Sequence, residues 1–186
     1  MQTIRPNTEN MALIADVRKE FTSWLSARPW SLGTSQYLAV HIRRGDRFGA
    51  SWKYHDKHIP TEVYAQGVNN VWTRISGFQS TLATDQKQSP VIYLASDDPA
   101  AHEELEEAMS SGSVFSLARS DNSSLRNLSS PRPYSQLEFD NLTEDERIRQ
   151  TRGMLVDFAL ISGLWAGSQS SRPQALVCAM RSVLSH

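Results

Sequence analysis

The chain has 186 residues and a formal net charge of −1, with 39% hydrophobic and 21% charged residues. These values are ordinary for a globular domain, and the charge balance excludes a generally basic nucleic-acid-binding surface. The single cysteine, Cys178, excludes an internal disulfide and a zinc site built from several cysteines. We therefore expect one domain over residues 1–186, or a large piece of a longer protein, with no nucleic-acid partner.

No apolar segment of the sequence approaches the roughly 20 residues that a transmembrane helix requires. The N-terminal sequence also lacks the apolar core of a signal peptide. Three Asn-X-Ser/Thr sequons are nevertheless present, at Asn122, Asn127 and Asn141. Because no signal peptide is visible, we interpret the sequons as chance matches in a Ser/Asn-rich segment and assign no compartment.

The first predicted element is an amphipathic helix over residues 9–27, in which apolar side chains recur every three to four residues. A short apolar strand is predicted over residues 37–43, and Pro60 lies near the start of a second amphipathic helix. The next apolar run, residues 91–95, predicts a second strand, and Pro99 opens a third helix.

The second half of the chain carries weaker patterns around one strong helix. A third short strand is predicted over residues 114–118, followed by a long Ser/Asn/Pro-rich loop over residues 119–146. Loops of this length are usually functional or mobile. The strong helix is predicted from residue 145 to residue 163. Beyond it, residues 164–167 are a candidate fourth strand and residues 174–184 a last helix.

Strands that alternate with helices predict an α/β fold, with a Rossmann-like parallel sheet flanked by helices. In open sheets of this class, ligands bind just beyond the carboxyl ends of the strands. The sequence contains neither a Gly-x-Gly-x-x-Gly loop nor a Walker-type loop. The phosphate cradle of the common dinucleotide and ATP folds is therefore missing.

Two arginines follow the first predicted strand. Arg43 and Arg44 alternate across the strand end, so we expect their side chains on opposite faces of the sheet. A planar guanidinium pairs two phosphate oxygens at once, which makes Arg43 a candidate ligand for a diphosphate. Arg44 would then be tied to the scaffold, with Asp46 as a candidate partner. The alternative is a purely structural ion pair. His41, on the same strand, is a candidate ligand contact.

Acidic residues follow the second strand and interrupt the last strong helix. Asp98 precedes a proline at the helix start, which favours a capping role and leaves Asp97 freer to contact a ligand. Asp157 lies inside an apolar helix, where a charge is unfavourable unless it is paired. It either faces a pocket, where a carboxylate accepts N–H groups from a guanine edge, or pairs with Arg149 or Arg152.

A serine cluster near the C-terminus is a further candidate for phosphate binding. Ser168, Ser170 and Ser171 lie between a predicted strand and a predicted helix. Hydroxyls and backbone N–H groups bind anions at such positions. An ordinary Ser-rich turn is the equal alternative.

Three segments of the chain, in this order, resemble the motifs of the α-1,6-fucosyltransferases and, more distantly, of the protein O-fucosyltransferases. The segments are Val40-His-Ile-Arg-Arg-Gly-Asp-Arg47, Val91-Ile-Tyr-Leu-Ala-Ser-Asp-Asp-Pro99 and Arg152-Gly-Met-Leu-Val-Asp157. The resemblance spans residues 37–165. It implies the nucleotide-sugar half of a GT-B-type glycosyltransferase, which binds GDP-fucose and transfers fucose to a glycan or protein acceptor without a metal or other cofactor.

Motif matching also implies roles for individual residues. His41 and Asp157 would contact guanosine, and Arg43 would bind the β-phosphate and assist the departure of GDP. A preorganised guanidinium stabilises a leaving group where its negative charge develops. Asp46 and Arg47 would support Arg43 in the catalytic site. The remaining implied residues would bind or flank the nucleotide: Arg44, Asp97, Asp98, Ser168 and Ser170.

The chain departs from the family pattern in two places. Ser51 occupies the position at which the α-1,6 enzymes carry a glutamate proposed to take part in proton removal. The C-terminal end, residues 165–186, is divergent, and the acceptor-binding half expected upstream is not recognised. The alternative expectation is a non-catalytic or truncated family member that binds a GDP-sugar or only a protein partner. A third interpretation, outside the family, is a Rossmann-like domain whose arginines only brace the sheet.

Overall fold

The computed structural model describes residues 6–28, 36–45, 58–79, 89–110, 112–162 and 174–177. Within these residues, four strands form one parallel sheet in the order β3-β2-β1-β4, with helices on both faces. The elements are α1 (Thr8–Ser26), β1 (Gln36–Ile42), α2 (Thr61–Gln79), β2 (Val91–Ser96), α3 (Ala100–Ala108), β3 (Ser113–Phe115), α4 (Ser123–Arg126), α5 (Gln136–Asp140), α6 (Glu144–Ser162) and β4 (Gln174–Val177).

The sheet is buried on both faces, which explains why its strands are continuous apolar runs. Tyr37 and Ala39 of β1 belong to the core cluster beneath α1 and α6. Leu38 and Val40 belong to the opposite cluster, beneath α2 and α3. The predicted α/β, Rossmann-like fold is therefore confirmed. None of the described helices is long and apolar enough to span a membrane.

Aromatic side chains hold α1 and α6 against their face of the sheet. The Phe21 ring of α1 lies 4.8 Å from the Tyr37 ring and 5.4 Å from the Tyr93 ring, between centroids. Both arrangements are edge-to-face, a geometry that adds to the burial of apolar surface. The Tyr37 hydroxyl donates a hydrogen bond to the Leu160 carbonyl at 2.7 Å. Helix α6 is thereby anchored above the centre of the sheet.

A glycine allows α6 to approach the preceding segment closely. A Cβ atom at Gly153 would collide with the backbone carbonyl of Leu128. Gly153 is buried, so no space is left for a side chain on this side of the helix. The glycine of the third motif thus sets the position of α6 and of the residues that follow it on the helix.

The C-terminal prediction is wrong for the residues that the structure describes there. Residues 174–177 form strand β4, which pairs in parallel with β1 through Tyr37 and Ala175 and their neighbours. A short apolar segment does not distinguish a strand from a helix by its periodicity, and the open edge of β1 requires a hydrogen-bonding partner. The candidate strand at residues 164–167 lies outside the described residues.

One other predicted boundary moves. Strand β3 ends at Phe115, before a short 3₁₀ turn, although the sequence predicts a strand as far as residue 118. The predicted loop over residues 119–146 contains the short helices α4 and α5 and the first turn of α6.

The strand order places a topological switch point beside β1. Strands β2 and β3 extend the sheet on one side of β1, whereas β4 lies on its other side. Ligands in open α/β sheets bind where the order reverses in this way, outside the carboxyl ends of the strands. Strand β1 ends at Ile42, so Arg43 is the first residue beyond the sheet at this point.

Candidate functional site

The two arginines that follow β1 point in opposite directions, as their alternation predicts. Arg44 is only 7% exposed. The Arg43 side chain is 44% exposed. Two adjacent and chemically identical side chains therefore occupy different environments.

Both terminal nitrogens of Arg44 are bonded on the α2/α3 side of the sheet, whereas its buried Nε atom has no hydrogen-bond partner among the described residues. Its Nη1 atom donates to Asp98 Oδ2 at 3.2 Å and to Glu104 Oε1 at 2.9 Å. Its Nη2 atom donates to Glu104 Oε2 and to Thr61 Oγ1. These bonds raise the pKa of Arg44 and lower the pKa of Glu104 to about 2, chiefly through the hydrogen bonds between the two groups. Arg44 thus ties β1 to α2 and α3. Asp46, its expected partner, lies outside the described residues.

Arg43 is held loosely in comparison. Its Nε atom lies 3.9 Å from Asp97 Oδ2, and its Cζ atom lies 5.6 Å from the centre of the Tyr134 ring. Among the described residues, its guanidinium makes no side-chain hydrogen bond. The N–H donors of Arg43 therefore remain available to an anion beyond β1.

The two aspartates that follow β2 both have scaffold contacts. The Asp97 carboxylate accepts backbone hydrogen bonds from Arg44 at 2.7 Å and from Gly45 at 3.2 Å. Asp97 therefore fixes the backbone beyond β1. The sequence does not predict this role, since it favours Asp97 as a ligand contact. Asp98 Oδ1 accepts from the Ala100 N–H at 3.0 Å, which is the expected contact at the start of α3.

Gly45 lies at a point where two backbone segments meet. A Cβ atom here would stand 2.7 Å from the Tyr134 carbonyl oxygen and 2.9 Å from Asp97 Oδ2. The Tyr134 N–H also donates to the Asp97 carbonyl at 3.0 Å. The segment before α5 therefore packs over the end of β1. The sequence identified residues 119–146 as a functional candidate, but no pattern in it singled out Tyr134.

Asp157 lies on α6, above the other face of the sheet. Its Oδ1 atom accepts a hydrogen bond from the Tyr93 hydroxyl at 2.7 Å. Burial raises the pKa of Asp157 to about 7, and the Tyr93 hydrogen bond opposes this shift. The expected ion pairs are not formed, since Arg149 donates to loop carbonyls and Arg152 pairs with Glu9. Asp157 is therefore a carboxyl group without a described cationic partner.

A small cavity adjoins Asp157 at the ends of β2 and β3. Ser96, Asp98, His102 and Ser116 are among the residues that line it, and it encloses about 20 Å³. This volume holds roughly one water molecule. This cavity by itself does not accommodate a nucleobase.

His41 is on β1, two residues before Arg43 and on the same face as Tyr37 and Ala39. Desolvation lowers the pKa of His41, although nearby Asp97 raises it. The imidazole is therefore neutral at pH 7, with one nitrogen that donates and one that accepts.

The remaining predicted site residues lie outside the described residues: Asp46, Arg47, Ser51, Ser168 and Ser170. Among the described residues, no cluster of three or more His, Cys, Asp or Glu side chains is arranged to hold a metal ion.

No protein-family model matches the chain, and no curated protein sequence matches it significantly. The geometry defines an α/β protein with a parallel, Rossmann-like sheet and an available arginine at its switch point.

Proposed function

We propose that this domain is the nucleotide-sugar half of a GT-B-type, fucosyltransferase-like glycosyltransferase, which binds GDP-fucose and transfers fucose to a glycan or glycoprotein acceptor. The observation that carries the proposal is the contrast between the two arginines. Arg44 already fulfils the structural need for a cation, with Asp98 and Glu104 as partners. Arg43 stands half-exposed at the switch point, where nucleotides bind in sheets of this class.

In the proposed reaction, Arg43 contacts the diphosphate of the donor. Cleavage of the bond between fucose and the β-phosphate leaves negative charge on GDP and positive, oxocarbenium-like charge on the sugar. A guanidinium held in place stabilises the leaving group as this charge develops. Arginine neutralises the diphosphate in this proposal, so the reaction needs no metal ion. The acceptor hydroxyl loses its proton to a general base.

Recognition of guanine is assigned to the α1/α6 side of the sheet. Asp157 and His41 lie on this side, and Asp157 has no cationic partner among the described residues. An ionised Asp157 would accept the two N–H groups of a guanine edge, which uracil and adenine do not present in that pattern. GDP affinity should therefore rise as the pH passes upward through about 7, where Asp157 ionises.

The second candidate function is binding without catalysis. It is favoured by Ser51, which stands where the resembling enzymes carry a glutamate. Such a protein would bind a GDP-sugar or a protein partner, and Arg43 would serve affinity alone. A turnover assay with GDP-fucose separates the two functions, because only the enzyme releases GDP faster than the background hydrolysis in water.

The proposed ligand class is tested by thermal unfolding with GDP, GDP-fucose, UDP and ADP. A ligand at about 100 times its Kd stabilises a protein by about 2.7 kcal/mol, which raises the Tm by roughly 5–10 °C at this chain length. We expect this shift for the two guanine nucleotides only. It should be lost in Arg43→Met and kept in Arg119→Met, which removes a similarly exposed arginine elsewhere on the surface. The absence of any shift in the wild-type protein would refute the transferase function and the binding of a GDP-sugar, and would leave only a protein partner.

A further inference from the structure

Tyr134 contacts Arg43 and two described residues next to it, Asp97 and Gly45. Its ring centre is 5.6 Å from Arg43 Cζ. Its N–H group bonds to the carbonyl of Asp97, whose carboxylate is 3.9 Å from Arg43 Nε. Its own carbonyl lies against Gly45, the second residue after Arg43. One residue of the segment before α5 thus packs against both the side chain and the backbone at the end of β1.

The Tyr134 ring is itself held by α5. Its hydroxyl donates to Gln136 Oε1 at 2.7 Å, and its ring centre lies 5.8 Å from that of Phe139. These contacts come from the helix that begins just after Tyr134. These contacts restrain the ring, whereas Arg43 is a long side chain with many rotamers.

A half-exposed arginine loses conformational entropy when it binds an anion. Contacts that restrict its rotamers beforehand reduce this loss and strengthen binding. An aromatic ring within about 6 Å of a guanidinium attracts it through the ring quadrupole. Asp97 on one side and the Tyr134 ring on another leave few positions for the Arg43 guanidinium.

We infer that Tyr134 is the positioning residue of the nucleotide site and presents the Arg43 guanidinium to the β-phosphate. The inference rests on the proposed function, since it requires that Arg43 binds a diphosphate. Tyr134 acts through Arg43, so its influence is confined to ligands that carry a β-phosphate. GMP has the same base and sugar as GDP but no β-phosphate, which makes it the matched probe.

The test is calorimetric titration of GDP and GMP into the wild-type protein, Tyr134→Leu, Tyr134→Phe, Arg43→Met and the double variant Arg43→Met/Tyr134→Leu. We expect Tyr134→Leu to weaken GDP binding about two- to five-fold, the range of an exposed cation–π contact, and to leave GMP binding unchanged. Tyr134→Phe keeps the ring and should bind GDP as the wild type does. In the Arg43→Met background, Tyr134→Leu should have no further effect, because the two residues act as one unit.

Three results would overturn the inference while leaving the proposed function intact. The first is unchanged GDP binding in Tyr134→Leu although Arg43→Met weakens it. The second is an equal weakening of GDP and GMP binding by Tyr134→Leu. The third is a weakening of GDP binding by Tyr134→Leu that persists in the Arg43→Met background. The last two results would assign Tyr134 a general structural role or a direct ligand contact. If the wild-type protein binds neither nucleotide, the proposed function fails and the inference fails with it. Thermal unfolding of Tyr134→Leu, run in parallel, shows whether the variant is folded.

Discussion

The two sides of the sheet at the end of β1 differ in how completely their charges are satisfied. On the α2/α3 side, Arg44 is buried and bonded to Asp98, Glu104 and Thr61. On the α1/α6 side, Arg43 is half-exposed and Asp157 is bonded only to a tyrosine hydroxyl among the described residues. The first arrangement stabilises the fold, whereas the second leaves polar groups available to a ligand.

The same contrast appears in the two perturbed carboxyl groups. The pKa of Glu104 is lowered to about 2 by its bonds to Arg44. The pKa of Asp157 is raised to about 7 by burial. Buried carboxyl groups with a raised pKa, such as Asp157, are concentrated at functional sites, where a ligand can supply the missing partner. The comparison therefore separates a structural half of this edge from the half that we propose to bind a ligand.

The largest effect is expected for Arg44→Met. It leaves two carboxylates at the end of β2 and on α3 without their cation, and breaking a buried ion pair in this way lowers stability by about 3 kcal/mol. Arg43→Met, one residue away, should change the free energy of unfolding by less than about 0.5 kcal/mol, as exposed substitutions usually do. Urea unfolding of both variants measures the difference, and equal losses would remove the distinction between the two sides.

Asp157→Asn should have the next largest effect, and in the opposite direction. A carboxyl group with a raised pKa in the folded state destabilises the fold as the pH rises from its unfolded value of 3.8 through about 7. We expect the variant to be more stable than the wild type by about 1–2 kcal/mol at pH 8 and equally stable at pH 4. Asparagine can still accept the Tyr93 hydrogen bond. A difference that does not vary with pH would contradict the assignment.

Glu104→Gln should give a smaller effect with the reverse pH dependence. Because its pKa is lowered, Glu104 contributes stability above its unfolded pKa of 4.5, and this is lost as the pH falls toward about 2. Glu104 is 45% exposed, so solvent screening limits the contribution to about 1 kcal/mol. The variant should therefore be less stable than the wild type at pH 6 and similar to it near pH 2. Chemical unfolding at these two pH values provides the check.

Features set by local periodicity could be predicted from the sequence. The opposite directions of Arg43 and Arg44 follow from strand geometry, and the contact of Asp98 with the start of α3 follows from the adjacent proline. Features set by distant contacts could not. Nothing near Arg44 in the sequence identifies Thr61 or Glu104 as its partners, and β4 was assigned to a helix because its partner strand lies far along the chain.

The candidate site shows the same division. The aspartates after β2 were identified as a group, but which of them holds the backbone beyond β1 depends on the packing of β1 against β2. No sequence pattern indicates Tyr134 as a site residue. Its contact with Arg43 exists because the segment before α5 folds back over residues about 90 positions earlier. Tertiary contacts of this kind are invisible to periodicity and motif spacing.

The central claim is that Arg43 is available to a diphosphate while Arg44 belongs to the fold. The most direct test is the Kd of Arg43→Met for GDP, measured by calorimetry together with its free energy of unfolding. We predict a Kd about 10- to 100-fold weaker than that of the wild type, the range for loss of charge-assisted hydrogen bonds, with unchanged stability. A Kd within two-fold of the wild type, or a loss of stability as large as that of Arg44→Met, would contradict the claim.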